Sequence, residues 1–246
     1  MSTDRKQGEI PFITTDQMRE VDRLMIEEYG ILLLQMMEHA GRQLSHLARS
    51  RFLGGDPRGK RVLVLSGTGG NGGGGLVCAR WLHSWGAHVT VHLSGLASEL
   101  TETPRHQLAA LERLAVEVKA PVDGIALADA DLIVDALIGY SLRGAPTGSS
   151  AALIRVANLH GAPILALDVP SGLDSTTGAV HDPAIRATAT MTLALPKTGF
   201  RAEGAVASTG ELYLADIGVP PELYAEPKLA LSVGPIFAKN DVIRLS

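Results

Sequence analysis

Glycine is concentrated in one short segment of the sequence. Residues 66–75 read SGTGGNGGGG, between the apolar residues 62–65 and a segment with a helical pattern. Glycine allows a ligand to approach backbone N–H groups closely, and the N-terminus of a helix attracts negative charge. The segment therefore predicts an anion site of the kind that holds a phosphate. The alternative is a flexible turn that binds no ligand.

Two nucleotide-binding signatures can be compared with this segment. It lacks the Gly-Lys-Ser/Thr ending of a P-loop, which excludes that type of ATP site. Gly67, Gly69 and Gly72 satisfy G-x-G-x-x-G, but an NAD-dependent dehydrogenase also needs an acidic residue about twenty positions later for the ribose hydroxyls. Residues 92–94 read HLS at that place, so the sequence disfavours a hydride-transferring dehydrogenase.

Two aspartates end apolar runs that are typical of buried strands. Asp135 follows residues 132–134, and Asp168 follows residues 164–167. Ligands of an open α/β sheet bind at the carboxyl ends of its strands, so we expect both carboxylates on the same rim as the glycine-rich segment. The Pro-Ser-Gly sequence after Asp168 stiffens its loop and should fix Ser171 there. The alternative is that each aspartate caps a helix or braces a loop.

Two N-terminal helices precede the elements that position these residues. Thr14 and Gln17 have the spacing of a capping box, and apolar residues at helical spacing follow as far as Gly30. A second helix is predicted over residues 32–51. Its first half, residues 32–37, is apolar on nearly every side, so we expect it to be buried under the sheet or against a second subunit.

From residue 61 onward, short apolar strands alternate with helical segments. Strands are predicted over 62–65, 89–93, 132–137 and 164–169, and helices over 76–85, 104–115 and 151–160. Strands that are apolar throughout are covered on both faces, which indicates a parallel sheet. Two later strands, 189–195 and 211–217, lack a good helix between them, and we expect them to pair antiparallel at one edge.

These patterns predict an α/β fold with three layers. We expect a Rossmann-like αβα domain whose central sheet is mostly parallel and is preceded by the two N-terminal helices. No repeat or linker divides the chain, so residues 1–246 are predicted to form one domain. Residues 1–10 are expected to be flexible.

Composition narrows the classes of function. The 246 residues are 46% apolar, which is enough for a large buried core, and the single cysteine, Cys78, excludes a disulfide framework or a Cys-based metal site. A net charge of −4 argues against nonspecific binding to nucleic acid or to an anionic membrane. The sequence contains no apolar run near the ~18 residues of a membrane span and no signal-peptide pattern. We therefore expect a cytoplasmic protein without nucleic-acid or membrane partners.

Several motifs occur in the order of a known family. Between about residues 13 and 220 the chain resembles the NAD(P)H-hydrate epimerase family, the domain that precedes an ADP/ATP-dependent dehydratase in many bacteria. The matching segments are TDQMREVDRLM at 15–25, MEHAG at 37–41, GGNGGGG at 69–75, VDALIGYSL at 134–142, DVPSGLD at 168–174, LPKTG at 195–199 and DIGVP at 216–220. His39, Gly70 and Gly74 stand where the family has Asn, Asn and Asp.

The resemblance implies an enzyme that interconverts the R and S forms of hydrated NADH or NADPH, which repairs a damaged cofactor. It implies K⁺ as cofactor, with oxygen ligands from Asn71, Asp135 and Ser171. Asp168 would be the catalytic carboxylate, because epimerisation moves a proton and passes through a cationic state. The residues lining the substrate would be Gly70, Asn71, Gly72, Gly73, Gly74, Gly139, Tyr140, Ser141, Leu142, Arg143, Gly144, Ala145 and Asp168. The family also tends to dimerise, which agrees with the apolar residues 32–37 and predicts a homodimer.

Two other functions are open at this point. The same scaffold could be a non-catalytic module for a nucleotide-like ligand or a protein partner, or a related nucleotide-metabolite enzyme with another substrate. The presence of Asn71, Asp135, Asp168 and Ser171 together favours catalysis, because a module without chemistry needs no complete cation site. If Asp168 is a catalytic carboxylate on a partly hydrated rim, Asp168→Asn should leave stability unchanged or raise it.

Overall fold

An eight-stranded sheet forms the centre of the computed structural model, which describes residues 10–121 and 124–246. Its strands are β1 (Arg61–Ser66), β2 (His88–Leu93), β3 (Glu117–Lys119), β4 (Leu132–Ala136), β5 (Ile164–Leu167), β6 (Ala189–Leu193), β7 (Glu211–Ala215) and β8 (Val242–Arg244). They lie in the order β3-β2-β1-β4-β5-β6-β7-β8, and only β7 and β8 pair antiparallel. The predicted mostly parallel sheet is confirmed. The expected flexibility of residues 1–10 falls outside the described residues, except at Ile10.

Helices cover both faces of the sheet, as the three-layer prediction requires. They are α1 (Thr15–Glu27), α2 (Leu33–Leu47), α3 (Gly70–Ser84), α4 (Glu102–Arg113), α5 (Gly148–Leu159) and α6 (Val206–Thr209). Helices α2, α3 and α4 share a core cluster with Val62 and Val64, whereas α5 shares one with Leu63 and Leu65. Successive residues of β1 are thus buried on opposite faces, which explains its continuous apolar run. Within the described ranges, none of these helices combines the length and apolar character that a membrane crossing needs.

Helix α1 begins at the predicted capping box. Thr14 Oγ1 accepts a hydrogen bond from the backbone N–H of Gln17 at 3.2 Å, and Thr14 N donates to Gln17 Oε1 at 2.9 Å. The buried face of α1 packs with Leu195, Ile217 and Leu223, which follow β6 and β7. The helix therefore lies against the carboxyl ends of these strands.

The start of α2 is less buried than its sequence predicts. Met36 and Met37 are buried, but Leu32, Leu33 and Leu34 are 57%, 37% and 37% exposed. The helix also ends at Leu47, where a π-helical turn continues the chain. The sheet does not cover these three leucines, so their burial against a second subunit stays a prediction.

The expectation that residues 189–195 and 211–217 pair antiparallel is wrong. Strands β6 and β7 pair in parallel over their whole length. Short helical turns and α6 lie between them. They return the chain to the end of the sheet at which the parallel strands begin. The antiparallel edge strand is β8, which, like β3, has three residues and is too short to show a period in the sequence.

The glycine-rich segment is largely helical. Helix α3 begins at Gly70, ahead of its predicted start, and the glycines of its first turns allow close contacts. A Cβ atom on Gly72 would lie 1.9 Å from the carbonyl oxygen of Gly67, and one on Gly75 would lie 2.5 Å from Ala136 Cβ. Packing therefore explains much of the glycine density that the sequence assigns to an anion site.

Candidate active site

A cavity of about 260 Å³ lies at the carboxyl ends of the parallel strands. Strand order changes direction at β1, whose neighbours β2 and β4 lead to opposite edges of the sheet. Ligands of open α/β sheets bind at such a switch point. Asn71 after β1, Tyr140 after β4 and Asp168 after β5 line this cavity, and Asp22 of α1 and Met36 of α2 line it from the N-terminal helices. The fold thus gathers polar groups from four separate elements.

Asp168 and Lys197 form a buried ion pair beside this cavity. Lys197 Nζ lies 2.6 Å from Asp168 Oδ1, and the two side chains are 0% and 4% exposed, respectively. The same Nζ donates to the carbonyl oxygen of Leu193 at 2.8 Å and to Thr192 Oγ1 at 3.2 Å. The ammonium group therefore has an acceptor for each of its three protons, as burial of a charge requires. The pair fixes a carboxylate at the cavity wall.

The backbone around Asp168 is strained and firmly held. Its φ is +66°, in the left-handed region that few residues other than glycine adopt. The N–H of Asp168 donates to the carbonyl oxygen of Met191 at 2.7 Å, and Asp168 Oδ2 accepts from Tyr140 N at 2.9 Å. Gly172 follows at φ +101°, where a Cβ would lie 2.5 Å from the carbonyl oxygen of Pro183. Such strain persists where the surroundings enforce it, and functional sites are its usual place.

A second carboxylate, Asp22, lines the cavity and is bound to the same tyrosine. Tyr140 Oη donates to Asp22 Oδ2 at 2.5 Å. Burial raises the pKa of Asp22; the Tyr140 hydrogen bond opposes this, the charge of Asp168 adds to it and that of Lys197 opposes it. Burial also raises the pKa of the Tyr140 phenol, which stays a neutral donor. Tyr140 therefore contacts Asp168 through its backbone and Asp22 through its hydroxyl.

Asp135 lies inside β4 and is fully buried. Its Oδ2 accepts from Ser171 N at 2.8 Å, and its Oδ1 accepts from Ser171 Oγ at 2.6 Å and from Leu137 N at 3.2 Å. Burial raises the pKa of Asp135 to about 6, although these hydrogen bonds oppose the shift. The three donors are neutral, so the groups that hold this carboxylate within the described ranges do not compensate its charge.

Asn71 has an incompletely bonded amide in the first turn of α3. Its Nδ2 is buried and has no hydrogen-bond partner within the described part of the chain. A Cβ on Gly139 would lie 3.0 Å from Asn71 Oδ1 and 3.1 Å from Asp168 Oδ2. The absence of a side chain at Gly139 therefore leaves room for both the amide and the carboxylate.

The structure brings only part of the predicted substrate set to the cavity. The predicted residues that line it are Gly70, Asn71, Gly74, Gly139, Tyr140, Ser141 and Asp168. Gly72 and Gly73 are buried in α3, where a Cβ would collide with neighbouring atoms. Leu142, Arg143, Gly144 and Ala145 follow in a loop that lies outside the cavity lining. Of the two strand-end aspartates, Asp168 reaches the cavity and Asp135 does not, because Asp135 is still within its strand.

The sequence patterns do not identify Asp22 and Lys197 as site residues, although the structure places both at the site. Asp22 stands four positions after Met18, and both line the cavity from one face of α1. An acidic residue on the apolar face of an amphipathic helix is the signal that could have found it. Lys197 follows the buried residues Ala194 and Leu195, and a lysine in such a context needs a buried acceptor.

The chain is similar in sequence to a family model and to several named proteins. The family model described as "YjeF-related protein N-terminus" matches residues 33–199. A Dehalogenimonas lykanthroporepellens protein named NAD(P)H-hydrate epimerase is 46% identical over 229 residues, which are 92% of this chain and 89% of that protein. The bifunctional NAD(P)H-hydrate repair enzyme Nnr of Pyrobaculum aerophilum is 42% identical over 85% of this chain. The chain spans 42% of that longer protein.

A solved structure shares the architecture. The crystal structure of yeast ynu0, YNL200c, superposes with a TM-score of 0.78 at 25% sequence identity. The superposition covers 96% of this chain and 100% of the yeast chain. Sequence and structure agree with the family match, and the chain belongs to the YjeF-related protein N-terminus family.

Proposed function

We propose that the protein interconverts the R and S forms of hydrated NADH and NADPH. The relatives named NAD(P)H-hydrate epimerase support this substrate and reaction. The observation that carries the proposal is the carboxylate of Asp168, which stands at the cavity wall between Lys197 Nζ and Tyr140 N. Both of its oxygens are held before any ligand binds, so little reorganisation is needed when charge develops beside them.

The chemistry requires a group of this kind. Epimerisation at the hydrated ring carbon needs loss and return of water, or opening and closing of the ring, through a cationic nicotinamide-like state. Asp168 can shuttle the proton and offset the positive charge. Lys197 keeps this carboxylate in place from the buried side, where it is itself fully covered.

A coupled assay tests the proposed reaction. The purified chain is mixed with the R form of hydrated NADH and with a separate dehydratase that accepts the S form alone. We expect the chain to accelerate NADH recovery beyond the rate that spontaneous epimerisation allows. An unchanged rate would contradict the proposal and leave a ligand-binding module or an enzyme for another nucleotide metabolite as the explanation of the cavity.

We propose K⁺ as the resident cation, held by Asn71, Asp135 and Ser171. Two features fit it: the uncompensated carboxylate of Asp135, and the buried amide end of Asn71, which can present oxygen instead of nitrogen after rotation of the amide. Amide, carboxylate and hydroxyl oxygens are hard ligands, and one negative charge suits a large monovalent ion better than Mg²⁺. A bound K⁺ would supply the positive charge that compensates Asp135.

Replacing K⁺ by tetramethylammonium should lower both the activity and the melting temperature. Asp135→Asn should weaken cation affinity, so that much of the lost activity returns at high K⁺. Asp129→Asn is the matched control, because Asp129 is 89% exposed in the segment before β4 and should leave the K⁺ response unchanged. A wild-type melting temperature and rate that are equal with both cations would contradict the site.

We propose that the protein is a homodimer whose interface includes the start of α2. The support is an apolar patch formed by residues that are more than a third exposed in the single chain: Ile26, Tyr29, Leu32, Leu33 and Leu34. Exposed apolar side chains that are concentrated in one short stretch of the chain typically mark an interface. The patch joins the end of α1 to the start of α2, and its member Leu33 also lines the cavity.

Light scattering at micromolar concentration should give about twice the 25.9 kDa mass of one chain. Leu32→Glu should shift the protein towards the monomer, because it places a charge in the patch. Leu159→Glu is the control on α5, since Leu159 is 87% exposed and lies outside the patch. A wild-type mass near 25.9 kDa would contradict the dimer.

We propose a cytoplasmic location for the reaction, because its substrate forms by hydration of NADH and NADPH and arises where these cofactors are held. The single cysteine, Cys78, is free and buried, which is compatible with a reducing compartment. Fractionation of the source cells with an antibody against the chain would test this, and recovery outside the cytoplasmic fraction would contradict it.

A further inference from the structure

The cavity contains a carboxylate that the epimerisation by Asp168 leaves without a role. Asp22 comes from α1, whereas Asp168 comes from the loop after β5, and both line the same cavity. Asp22 is hydrogen-bonded at 2.5 Å by a phenol and has no ion pair among the described residues. Burial raises the pKa of this carboxyl group, and a raised pKa suits a carboxyl group to act as an acid.

Tyr140 joins the two carboxylates. Its backbone N–H donates to Asp168 Oδ2 at 2.9 Å, and its hydroxyl donates to Asp22 Oδ2. Lys197 pairs with Asp168 at 2.6 Å and acts on Asp22 only through the longer-range field. The environments of the two acids therefore differ: Asp168 contacts a cation directly, whereas Asp22 contacts a neutral donor in a buried place.

By the route through loss and return of water, epimerisation removes water from one face of the ring carbon and adds water to the opposite face. A single acid–base group that reaches only one face would require the ring to turn over inside the cavity. We infer that Asp22 is a second catalytic residue of the proposed epimerisation, serving as the general acid for one face while Asp168 serves as the base for the other. This inference rests on the proposed function.

The step balances without any additional reactant. The Asp22 carboxyl group gives its proton to the hydroxyl oxygen on the hydrated carbon, the C–O bond breaks, and its electron pair leaves with the oxygen as water. The lone pair of the neighbouring ring nitrogen forms the double bond of the cationic intermediate. A second water adds from the opposite face and gives its proton to Asp168, and exchange with solvent returns both carboxyl groups to their starting states.

Asp22→Asn should therefore lower kcat by about 10²–10⁴-fold, the range of a general acid, while KM changes little. Asp16→Asn is the matched control, because Asp16 is on the same helix, is 89% exposed and lies outside the cavity lining. It should retain the wild-type rate. A rate of Asp22→Asn equal to that of the control would overturn the inference.

Tyr140→Phe supplies a readout that a structural role of Asp22 would not change. The acid must be protonated, so the rate should fall on the alkaline side as Asp22 ionises. The hydrogen bond from Tyr140 stabilises the ionised form, so its removal should raise the pKa of Asp22 and move the alkaline limb to higher pH. The other ionisable groups near Asp22 or its tyrosine are Arg19, Asp168, Lys197 and Tyr224, and all four are retained in this variant.

The outcomes separate the inference from the proposed function. A wild-type chain that does not accelerate epimerisation overturns both. An active wild type whose alkaline limb is unmoved in Tyr140→Phe overturns the role of Asp22 alone, even where Asp22→Asn fails to fold. An active wild type with a shifted limb in Tyr140→Phe and a slow, folded Asp22→Asn supports both.

Discussion

At the level of single residues, the environment of Asp168 is set by its buried ion pair with Lys197. The sequence places Asp168 on a partly hydrated rim, where its replacement by Asn would cost no stability. The structure instead covers it to 4% exposure and sets a fully buried ammonium group 2.6 Å away. Removing one partner of a buried ion pair leaves the other charge uncompensated, which typically costs about 3–5 kcal/mol. The structure therefore reverses the expected effect on stability.

Asp168→Asn should lose both activity and stability. We expect the rate to fall by about 10²–10⁴-fold, as for loss of a general base. The free energy of unfolding should fall by about 3–5 kcal/mol, because Lys197 stays buried without its counter-charge. Chemical denaturation and the epimerase assay measure the two effects. Asp182→Asn is the control, since Asp182 is 88% exposed.

The double variant Asp168→Asn/Lys197→Met separates the two effects. Removing both charges should recover much of the stability, because a buried ion pair can be replaced by apolar groups at little cost. It should recover none of the activity, because the carboxylate is still absent. A double variant that regains the wild-type rate would show that Asp168 only braces its loop.

Sequence could identify Asp168 but not its partner. The carboxylate follows an apolar run, and this position alone predicts a place near the ligand. Lys197 comes from a loop that reaches Asp168 only because β6 lies beside β5. Contacts between residues that lie far apart in the chain are not encoded in local spacing, so Lys197 and the tyrosine bridge to Asp22 required the structure.

At the level of secondary-structure elements, the first turn of α3 contains one tightly packed glycine and one glycine in open space. A Cβ on Gly72 would lie 1.9 Å from the carbonyl oxygen of Gly67, whereas one on Gly70 would have no atom of residues 10–121 or 124–246 within 4 Å. Gly72→Ala should destabilise the protein by about 1–3 kcal/mol through overpacking against the backbone. Gly70→Ala is its matched control in the same turn and should change stability little. Thermal unfolding of both variants measures this, and equal melting temperatures would contradict the packing explanation.

The ion pair between Arg51 and Glu211 ties the π-helical turn to β7. Arg51 donates to both carboxylate oxygens of Glu211, at 3.0 and 2.7 Å, and these hydrogen bonds lower the pKa of Glu211 from 4.5 to about 2. Because folding lowers the pKa of Glu211, its ionised carboxylate stabilises the folded state above pH 4.5. This stability is lost as the pH falls towards 2. Glu211→Gln should therefore melt below the wild type at neutral pH, with a difference that shrinks in acid. A difference that is constant across this pH range would contradict the assignment.

The sequence predicts an element well where the segment with a regular apolar pattern is long. The capping box of α1 and the four central parallel strands follow from local spacing and apolar runs. Helix α3 begins earlier than its sequence predicts, because glycine weakens a helix in isolation and here close packing compensates for this. The pairing of β6 with β7 was misjudged because its crossover consists of short helical turns that carry no clear period.

At the scale of the whole molecule, the site depends on strand order. The parallel sheet places the ends of β1, β4 and β5 side by side at a switch point, and the N-terminal helices enclose the cavity from outside. The sequence predicts the first part of this arrangement from its alternating strands and helices. The second part depends on how α1 and α2 pack across the strand ends, which no local pattern specifies. For this reason the structure, and not the sequence, assigns Asp22 to the site.

The proposed reaction is the epimerisation of a hydrated nicotinamide cofactor in this cavity, with Asp168 as a catalytic group. The most direct measurement follows the R form of hydrated NADH by NMR in the presence of the purified protein and K⁺, with the Asp168→Asn variant alongside. We expect the wild type to bring the R and S forms to equilibrium faster than the spontaneous reaction, and the variant to be slower than the wild type by about 10²–10⁴-fold. A wild-type time course that coincides with the spontaneous one, or a folded variant as fast as the wild type, would contradict the proposal.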